Sequence, residues 1–143
     1  MKKLLLIVAA IFCFATVKAQ DATTVVADST AKAKITFEKL DHDYGTINQG
    51  ADGNCVFLFK NDGNAPLILS SVRASCGCTT PSWTKDPIMP GASGEIKVRY
   101  DTNRVGAFSK TITVNSNAEN ATLTLRISGT VNANQPVTPA PTN

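Results

Sequence analysis

Apolar and polar residues alternate in several short runs of this chain, and this two-residue period constrains its fold more than any other feature. Leu123, Leu125 and Ile127 alternate with threonine and arginine, and the segment 95–100 (EIKVRY) alternates in the same way. Such alternation is typical of β-strands with one buried face. No helical period occurs from residue 20 onward, so the pattern predicts an all-β domain.

The runs recur at the spacing of a small sandwich. About seven short strands, separated by turn residues every 8–12 positions, are typical of an immunoglobulin-like fold. The clearest runs lie at 34–38, 55–59, 67–72, 95–100, 108–114 and 122–127. We therefore predict a single immunoglobulin-like antiparallel β-sandwich over residues 34–131, a length that suits one domain.

Three segments lead to more specific expectations. Residues 40–50 (LDHDYGTINQG) are rich in turn-forming residues, so we interpret them as a loop. Residues 55–59 (CVFLF) are apolar at every position, which predicts a strand covered on both faces or lying at a sheet corner. Residues 81–91 contain three prolines, which argue against helix and disfavour strand.

The N-terminus has the organisation of a signal peptide. A basic start at residues 1–3 precedes an apolar stretch at 4–16, and Val17-Lys18-Ala19 offers small residues for cleavage after Ala19. The apolar stretch is shorter than the roughly 20 residues that span a bilayer. Lipid attachment at Cys13 is disfavoured because Phe12 occupies a position that requires a small residue. We therefore expect a secreted or periplasmic protein.

The segments flanking the predicted domain have the composition of unstructured chain. Residues 20–33 are small and polar and predict a flexible leader, and residues 132–143 are rich in Pro, Thr and Asn and predict a disordered tail. The segment 1–19 contains three lysines and no acidic residue, so its removal lowers the formal net charge from +3 to zero. This balance argues against nucleic acid as a partner, and no membrane span is expected after cleavage.

Two cysteines separated by one glycine form the most chemically specific segment, Ser75-Cys76-Gly77-Cys78-Thr79, which we call the Cys-Gly-Cys box. The third mature cysteine is Cys55. In an extended strand the Cβ atoms of residues i and i+2 lie about 6–7 Å apart, whereas a disulfide requires about 3.8 Å. Gly77 would permit the unusual dihedrals of a closed ring. The residues leave open a disulfide within the box and a bond to Cys55.

The box also raises two chemical alternatives to a structural role. A labile disulfide would exchange with thiols of a partner. Free thiolates would bind soft ions such as Cu(I) or Zn(II), and a four-ligand zinc site would need Cys55 and His42 as well. His42 is otherwise interpreted as a solvated residue, and Trp83 as a lid over one end of the sandwich. The sequence carries no phosphate loop, nucleophile elbow or calcium loop, so we predict a protein that is not an enzyme and has no cofactor.

Many motifs of the chain occur in the order of a known bacterial family, which the sequence resembles over residues 35–131: the domain of unknown function 1573. The motifs that carry this resemblance are Phe37, Tyr44-Gly45, Gly50, Phe57-Leu58-Phe59, Asn61-Asp62-Gly63, Pro66-Leu67, the Cys-Gly-Cys box, Pro90-Gly91, Gly94, Tyr100-Asp101, Gly106, Phe108-Ser109-Lys110 and Ser128-Gly129.

The resemblance implies an exported immunoglobulin-like domain, common in Bacteroidetes and akin to those of major sperm protein and pilus chaperones. It also implies that Cys76 and Cys78 act as a pair, with Gly77 and Thr79 in support, because Cys55 lies outside the family pattern. We therefore expect a disulfide within the box. The function that we predict is a structural or binding module of the cell envelope with a protein or glycan partner; thiol–disulfide exchange or copper or zinc handling is the alternative.

Overall fold

The computed structural model describes residues 31–134, which form eight β-strands. The signal peptide predicted at 1–19, most of the leader (20–30) and most of the tail (135–143) lie outside the described residues. The strands are β1 (Ile35–Phe37), β2 (Asp41–Asn48), β3 (Asn54–Asn61), β4 (Leu69–Ala74), β5 (Thr79–Trp83), β6 (Ser93–Tyr100), β7 (Gly106–Ser116) and β8 (Thr122–Asn132).

The strands form two sheets of four. The first sheet has the order β1-β3-β6-β5, and the second has the order β2-β8-β7-β4. All paired strands are antiparallel except β2 and β8, which run parallel. The predicted fold class, an all-β immunoglobulin-like sandwich, is confirmed, with eight strands instead of about seven. No helix capable of crossing a membrane is found between residues 31 and 134.

The chain passes from one sheet to the other at both sides of the sandwich. Residues 38–40 carry it from β1 in the first sheet to β2 in the second. On the other side, residues 75–78 carry it from β4 in the second sheet to β5 in the first. The Cys-Gly-Cys box is therefore one of the five crossovers between the two sheets.

The core lies between the sheets, and one strand shows how it is built. Phe57 and Phe59 of β3 point inward and are 0% and 1% exposed, whereas their neighbours Val56 and Leu58 are 37% and 43% exposed. The expectation that 55–59 is covered on both faces is therefore wrong. β3 is central in its sheet and apolar throughout, yet only one of its faces meets the other sheet.

Two segments that we expected to be irregular are strands. The segment 40–50 contains β2, which the parallel ladder with β8 holds in place despite a register shift between Asp43 and Thr46. Gly45, at this shift, has a φ of 62°, a conformation that glycine adopts without strain. The proline-rich segment contains β5 with Pro81 inside it. β5 is an edge strand, where a residue without an N–H group does not interrupt the ladder.

A fully buried asparagine joins three parts of the chain at the end of β3. The side-chain amide of Asn61 donates to the carbonyl oxygens of Ala65, at 2.8 Å, and Ile88, at 2.9 Å. Its oxygen accepts from the N–H groups of Gly63, at 3.0 Å, and Lys34, at 3.3 Å. Because every polar group of this side chain has a partner, its burial is compatible with stability.

Candidate functional site

The Cys-Gly-Cys box folds as a turn between β4 and β5. In this turn Cys76 and Cys78 are joined by a disulfide, with Cα atoms 5.4 Å apart, within the usual range of about 4.4–6.8 Å. The N–H of Thr79 lies 3.4 Å from the carbonyl oxygen of Cys76 and closes the turn. An extended strand would hold the sulfurs too far apart, and the crossover between sheets supplies the bend that brings them together.

Hydrogen bonds fix both flanks of the box to the neighbouring strands. On one side the N–H of Ser75 donates to the carbonyl of Thr111 at 2.9 Å. On the other side the N–H of Asp101 donates to the carbonyl of Cys78 at 2.9 Å. The backbone on either side of the turn is therefore held by the sheets independently of the disulfide.

Gly77 has a role different from the one that its spacing suggests. Its φ lies outside the left-handed region, and a Cβ atom added there would meet nothing within 4 Å. The expectation that the ring needs glycine for an unusual backbone conformation is therefore wrong for the folded state. The missing side chain instead leaves the outer side of the turn open.

The two sulfurs of the box have different surroundings. Cys78 is buried, with 8% exposed, whereas Cys76 is only partly buried. Thr79, itself 4% exposed, places its hydroxyl oxygen 3.8 Å from Sγ of Cys76 and 3.9 Å from Sγ of Cys78. The box thus combines a partly buried cysteine, a buried cysteine and a hydroxyl group near both sulfurs.

Cys55 is a free, buried thiol that lies away from the box. It is paired with Val98, which is paired in turn with Pro81, so the whole of β6 lies between Cys55 and β5. Two strand spacings amount to about 9–10 Å, beyond the reach of a disulfide. Burial raises the pKa of Cys55, with smaller opposing effects of Tyr44 and Lys39. This thiol is therefore a core residue.

The four residues considered as zinc ligands do not form one site. The disulfide occupies the sulfurs of Cys76 and Cys78, and zinc requires thiolates. His42 lies on β2 and packs edge-on against Tyr44, with ring centroids 4.5 Å apart. Within residues 31–134, no three His, Cys, Asp or Glu side chains are grouped as metal ligands.

Beside the box, three loops enclose a cleft of about 440 Å³, which we call the box cleft. Its walls are formed by Gly50, Ala51, Asp52, Gly53, Asn54, Gly77, Cys78, Thr80, Arg99, Tyr100, Asp101, Thr102 and Asn103. The loops are joined by bonds from the N–H of Tyr100 to the carbonyl of Gly53, at 2.8 Å, and from the hydroxyl of Thr102 to the carbonyl of Ala51, at 2.7 Å. These hydrogen bonds hold the loops that form the walls of the cleft in fixed positions relative to each other.

Two turns of the same type line the box cleft. Asp52 accepts hydrogen bonds from the N–H and side-chain amide of Asn54, at 3.0 and 2.6 Å. Asp101 accepts the same two bonds from Asn103, at 3.2 and 3.0 Å, and these bonds lower the pKa of Asp101. We did not predict this cleft from the sequence, although the repeated Asp-x-Asn spacing is a signal for such turns.

Trp83 lies at the far end of β5 from the box. Its ring is partly buried against the core, and the ammonium of Lys85 lies 3.2 Å from the ring centroid. Its indole N–H is buried without a hydrogen-bond partner among the described residues. This placement keeps Trp83 away from the box cleft.

Comparison with solved structures identifies the same fold in distant proteins. A protein of unknown function from Porphyromonas gingivalis W83 is 18% identical, with a TM-score of 0.64; the match covers 75% of this chain and 51% of that one. The ASH/PapD-like domain 7 of human CEP192 is 13% identical, with a TM-score of 0.58, and the coverage is 82% and 99%. The secreted serine protease VesC from Vibrio cholerae is 13% identical, with a TM-score of 0.53, and the coverage is 68% and 23%.

The chain thus spans about half the length of the Porphyromonas protein and less than a quarter of VesC. At these identities the likeness concerns the fold alone. No match was found among curated proteins. A family model described as "Protein of unknown function (DUF1573)" matches residues 35–131, nearly all of the described domain. The family that the motifs around the Cys-Gly-Cys box resemble is thereby confirmed, and the chain belongs to the DUF1573 family.

Proposed function

We propose that this protein is an exported, non-enzymatic binding module of the cell envelope, and that the box cleft binds a protein partner. The observation that carries this proposal is the cleft itself, in which three loops from both sheets are held together at one end of the sandwich. Loops held by a rigid scaffold are the usual place for binding residues. A sandwich that presents such loops at one end suits recognition of a partner.

The side chains of the box cleft favour a polar partner with groups of both signs. Asp52 and Asp101 supply carboxylates, Arg99 supplies a guanidinium, and all three are exposed. A polypeptide offers main-chain donors and acceptors together with charged side chains, and it satisfies such a surface. A neutral glycan offers hydroxyl and amide groups but no charge to pair with these side chains.

A photo-crosslinking experiment tests the binding surface. A photoreactive amino acid replaces Asn103 in the box cleft or, as the matched control, Asn64, an exposed asparagine at the opposite end of the sandwich. We expect discrete adducts in producing cells from position 103 and none from position 64. Partner peptides identified by mass spectrometry in the adducts support a protein partner, and adducts whose added mass is removed by periodate indicate a glycan. Equal labelling at both positions contradicts the proposal.

Export is tested separately by the mass of the mature protein. Cleavage after Ala19 produces a new N-terminus at Gln20, which intact-mass measurement of the cell-envelope fraction identifies. Retention of residues 1–19, or lipid attached to Cys13, contradicts secretion through a cleaved signal peptide. Neither result bears on the binding surface, which the crosslinking experiment tests independently.

The alternative functions both depend on the sulfurs of the box. Copper or zinc handling needs two free thiolates, whereas the pair is joined in a disulfide. Thiol–disulfide exchange begins from that bond. Of the two alternatives, the arrangement of the box therefore favours exchange.

A further inference from the structure

We propose that the Cys-Gly-Cys box exchanges its disulfide with a cysteine thiol of a polypeptide bound at the box cleft, and that Cys76 carries the sulfur that is attacked. The proposal rests on the proposed function in one respect, because it takes a polypeptide as the occupant of the cleft. It adds a chemical step and a class of partner, an exported protein with a free cysteine.

The accessibility of the two sulfurs decides which one a partner reaches. Cys76 is only partly buried and directly precedes Gly77 and Cys78, which form part of the wall of the box cleft. A Cβ atom added at Gly77 would meet nothing within 4 Å, so no side chain covers the turn beside Cys76. Cys78 is 8% exposed. Exchange requires a thiolate to approach the attacked sulfur directly, so access selects between the two sulfurs. Both features direct the attack to Cys76.

The leaving sulfur of Cys78 lies in a buried site, so it needs a hydrogen-bond donor, and Thr79 supplies one. When the partner thiolate bonds to the sulfur of Cys76, the bond between Cys76 and Cys78 breaks and its electron pair stays on Cys78. The hydroxyl of Thr79, 3.9 Å from that sulfur, is placed to donate a hydrogen bond to the new thiolate. Cys78 then takes a proton from solvent, and the product is a mixed disulfide between Cys76 and the partner. No external oxidant is required.

The step is reversible through the same atoms. The thiol of Cys78 loses its proton and attacks the sulfur of Cys76, which restores the box and releases the partner as a thiol. If a second partner thiol attacks the partner's own sulfur instead, the partner leaves with a disulfide and the box keeps two thiols. In that outcome two electrons pass from the partner to the box.

The fold allows the box to open without losing its shape. Its flanks are held by the bonds from Ser75 to Thr111 and from Asp101 to Cys78, neither of which involves a sulfur. Cys55 is buried two strands away, so it does not compete for either sulfur. We therefore expect the reduced domain to remain folded and to reoxidise to the same pair.

The first test maps the attacked sulfur. The oxidised full-length mature protein is incubated with a large excess of reduced glutathione, quenched with acid, alkylated and analysed by peptide mass spectrometry. We expect the glutathione adduct on Cys76, with Cys78 alkylated and Cys55 modified only after denaturation. An adduct mainly on Cys78, or no exchange with glutathione in excess, overturns the proposal.

The second test concerns Thr79 and uses a matched pair of variants. Thr79→Val removes the hydroxyl with little change of shape, and Thr79→Ser keeps it. We expect the rate of exchange with glutathione to fall about tenfold in Thr79→Val and to recover in Thr79→Ser. Both variants should melt close to wild type. Equal exchange rates in Thr79→Val and wild type contradict the role of Thr79. Unfolding of the reduced wild-type domain contradicts the cycle.

The crosslinking experiment separates this proposal from the binding function. In a variant with Cys76→Ser and Cys78→Ser, adducts from position 103 persist if the cleft binds a partner without exchange. If the box exchanges with glutathione but position 103 forms no adducts in cells, the result contradicts the binding function and leaves the exchange chemistry supported. A partner joined to Cys76 by a mixed disulfide in acid-quenched, alkylated wild-type protein, and absent from the variant with both serines, supports both.

Discussion

Tyr100 and Phe108 stack face to face across the two sheets, with ring centroids 3.7 Å apart and an interplanar angle of 13°. Tyr100 ends β6 in the first sheet, and Phe108 belongs to β7 in the second. Tyr44 extends this contact, because its ring lies 5.8 Å from that of Phe108 and its hydroxyl donates to the carbonyl of Gly53 at 2.7 Å. The aromatic stack therefore supports the floor of the box cleft from within the core.

Truncating the stack should destabilise the sandwich and loosen the cleft together. For Phe108→Ala we expect a loss of about 3–5 kcal/mol in the free energy of unfolding, the usual cost of emptying a large aromatic site in a core. Phe108→Leu fills part of the volume of the phenylalanine ring, so it should lower the free energy of unfolding by less than Phe108→Ala does. Denaturant unfolding measures both values. Equal stability of Phe108→Ala and wild type would show that the rings do not carry the contact between the sheets.

Adjacent residues of β3 offer a sharper test of the core. Phe57→Ala should cost about 3–5 kcal/mol because its side chain is fully buried. Leu58→Ala, one residue away and 43% exposed, should change stability by less than about 1 kcal/mol. Thermal and denaturant melts of the two variants check this contrast. Similar losses at both positions would mean that the outer face of β3 is also covered.

The buried asparagine at the end of β3 should matter far more than its exposed neighbour. Asn61→Ala removes four hydrogen bonds and leaves the carbonyl of Ala65 and two N–H groups without a partner, whereas the carbonyl of Ile88 keeps its bond from Leu67. We expect a loss of about 3 kcal/mol. Asn64→Ala removes one exposed bond to the N–H of Lys32 and should cost less than about 1 kcal/mol. Urea unfolding of the two variants compares them directly. A mild effect of Asn61→Ala would indicate that water replaces its bonds.

The stability of the domain should fall as the pH drops from neutral to about 5. Burial, with the nearby charge of Lys39, lowers the pKa of His42 below the unfolded value of about 6.5, and Asp43 opposes this shift. As the pH falls through that value, the unfolded chain binds the proton first, so unfolding is favoured. The lowered pKa values of Asp62 and Asp101 affect stability only below about pH 4, because stability from those carboxylates is lost when they are protonated.

Melting temperatures at pH 7.5 and 5 measure this effect, with His42→Phe as the comparison. The variant keeps an aromatic ring against Tyr44 and carries no titrating group at position 42. We expect its melting temperature to change less than that of wild type between the two pH values. An equal drop in both proteins would assign the pH dependence to other groups.

A thiol reagent should find one buried free cysteine and one disulfide-bonded pair in the mature protein. Without reductant, a thiol reagent should leave the native protein unmodified and should label one residue, Cys55, after denaturation. Cys55 is protected in the native state because its burial blocks access of the reagent and raises the pKa of the thiol. Peptide mapping without reduction provides the check. A peptide linked through Cys55, or three reactive thiols, contradicts the arrangement.

Several elements could be read from the chain because their pattern is local. Alternation predicted β6 and β8, since one face of each strand meets the core and the other meets water. The turn at Asn61-Asp62-Gly63 was visible for the same local reason. These signals, with the motifs around the box, were sufficient for the fold class and the family.

Other elements depend on neighbours that are distant in sequence. β2 contains residues typical of turns, and it is a strand because β8 supplies a parallel ladder more than 70 residues later in the chain. Pro81 is accommodated because β5 lies at an edge. The outer face of β3 is exposed although its residues are apolar, and local composition does not reveal whether a second layer covers a face.

The same distinction holds for the candidate site. The sequence by itself determined that two cysteines of the domain lie within reach of each other and that the domain contains one further cysteine, Cys55. Only the tertiary structure decided their pairing, because the crossover between sheets bends residues 75–78 into a turn, while β6 separates Cys55 from β5. The box cleft was likewise decided in three dimensions, since its loops are distant in sequence and meet only when the two sheets pack.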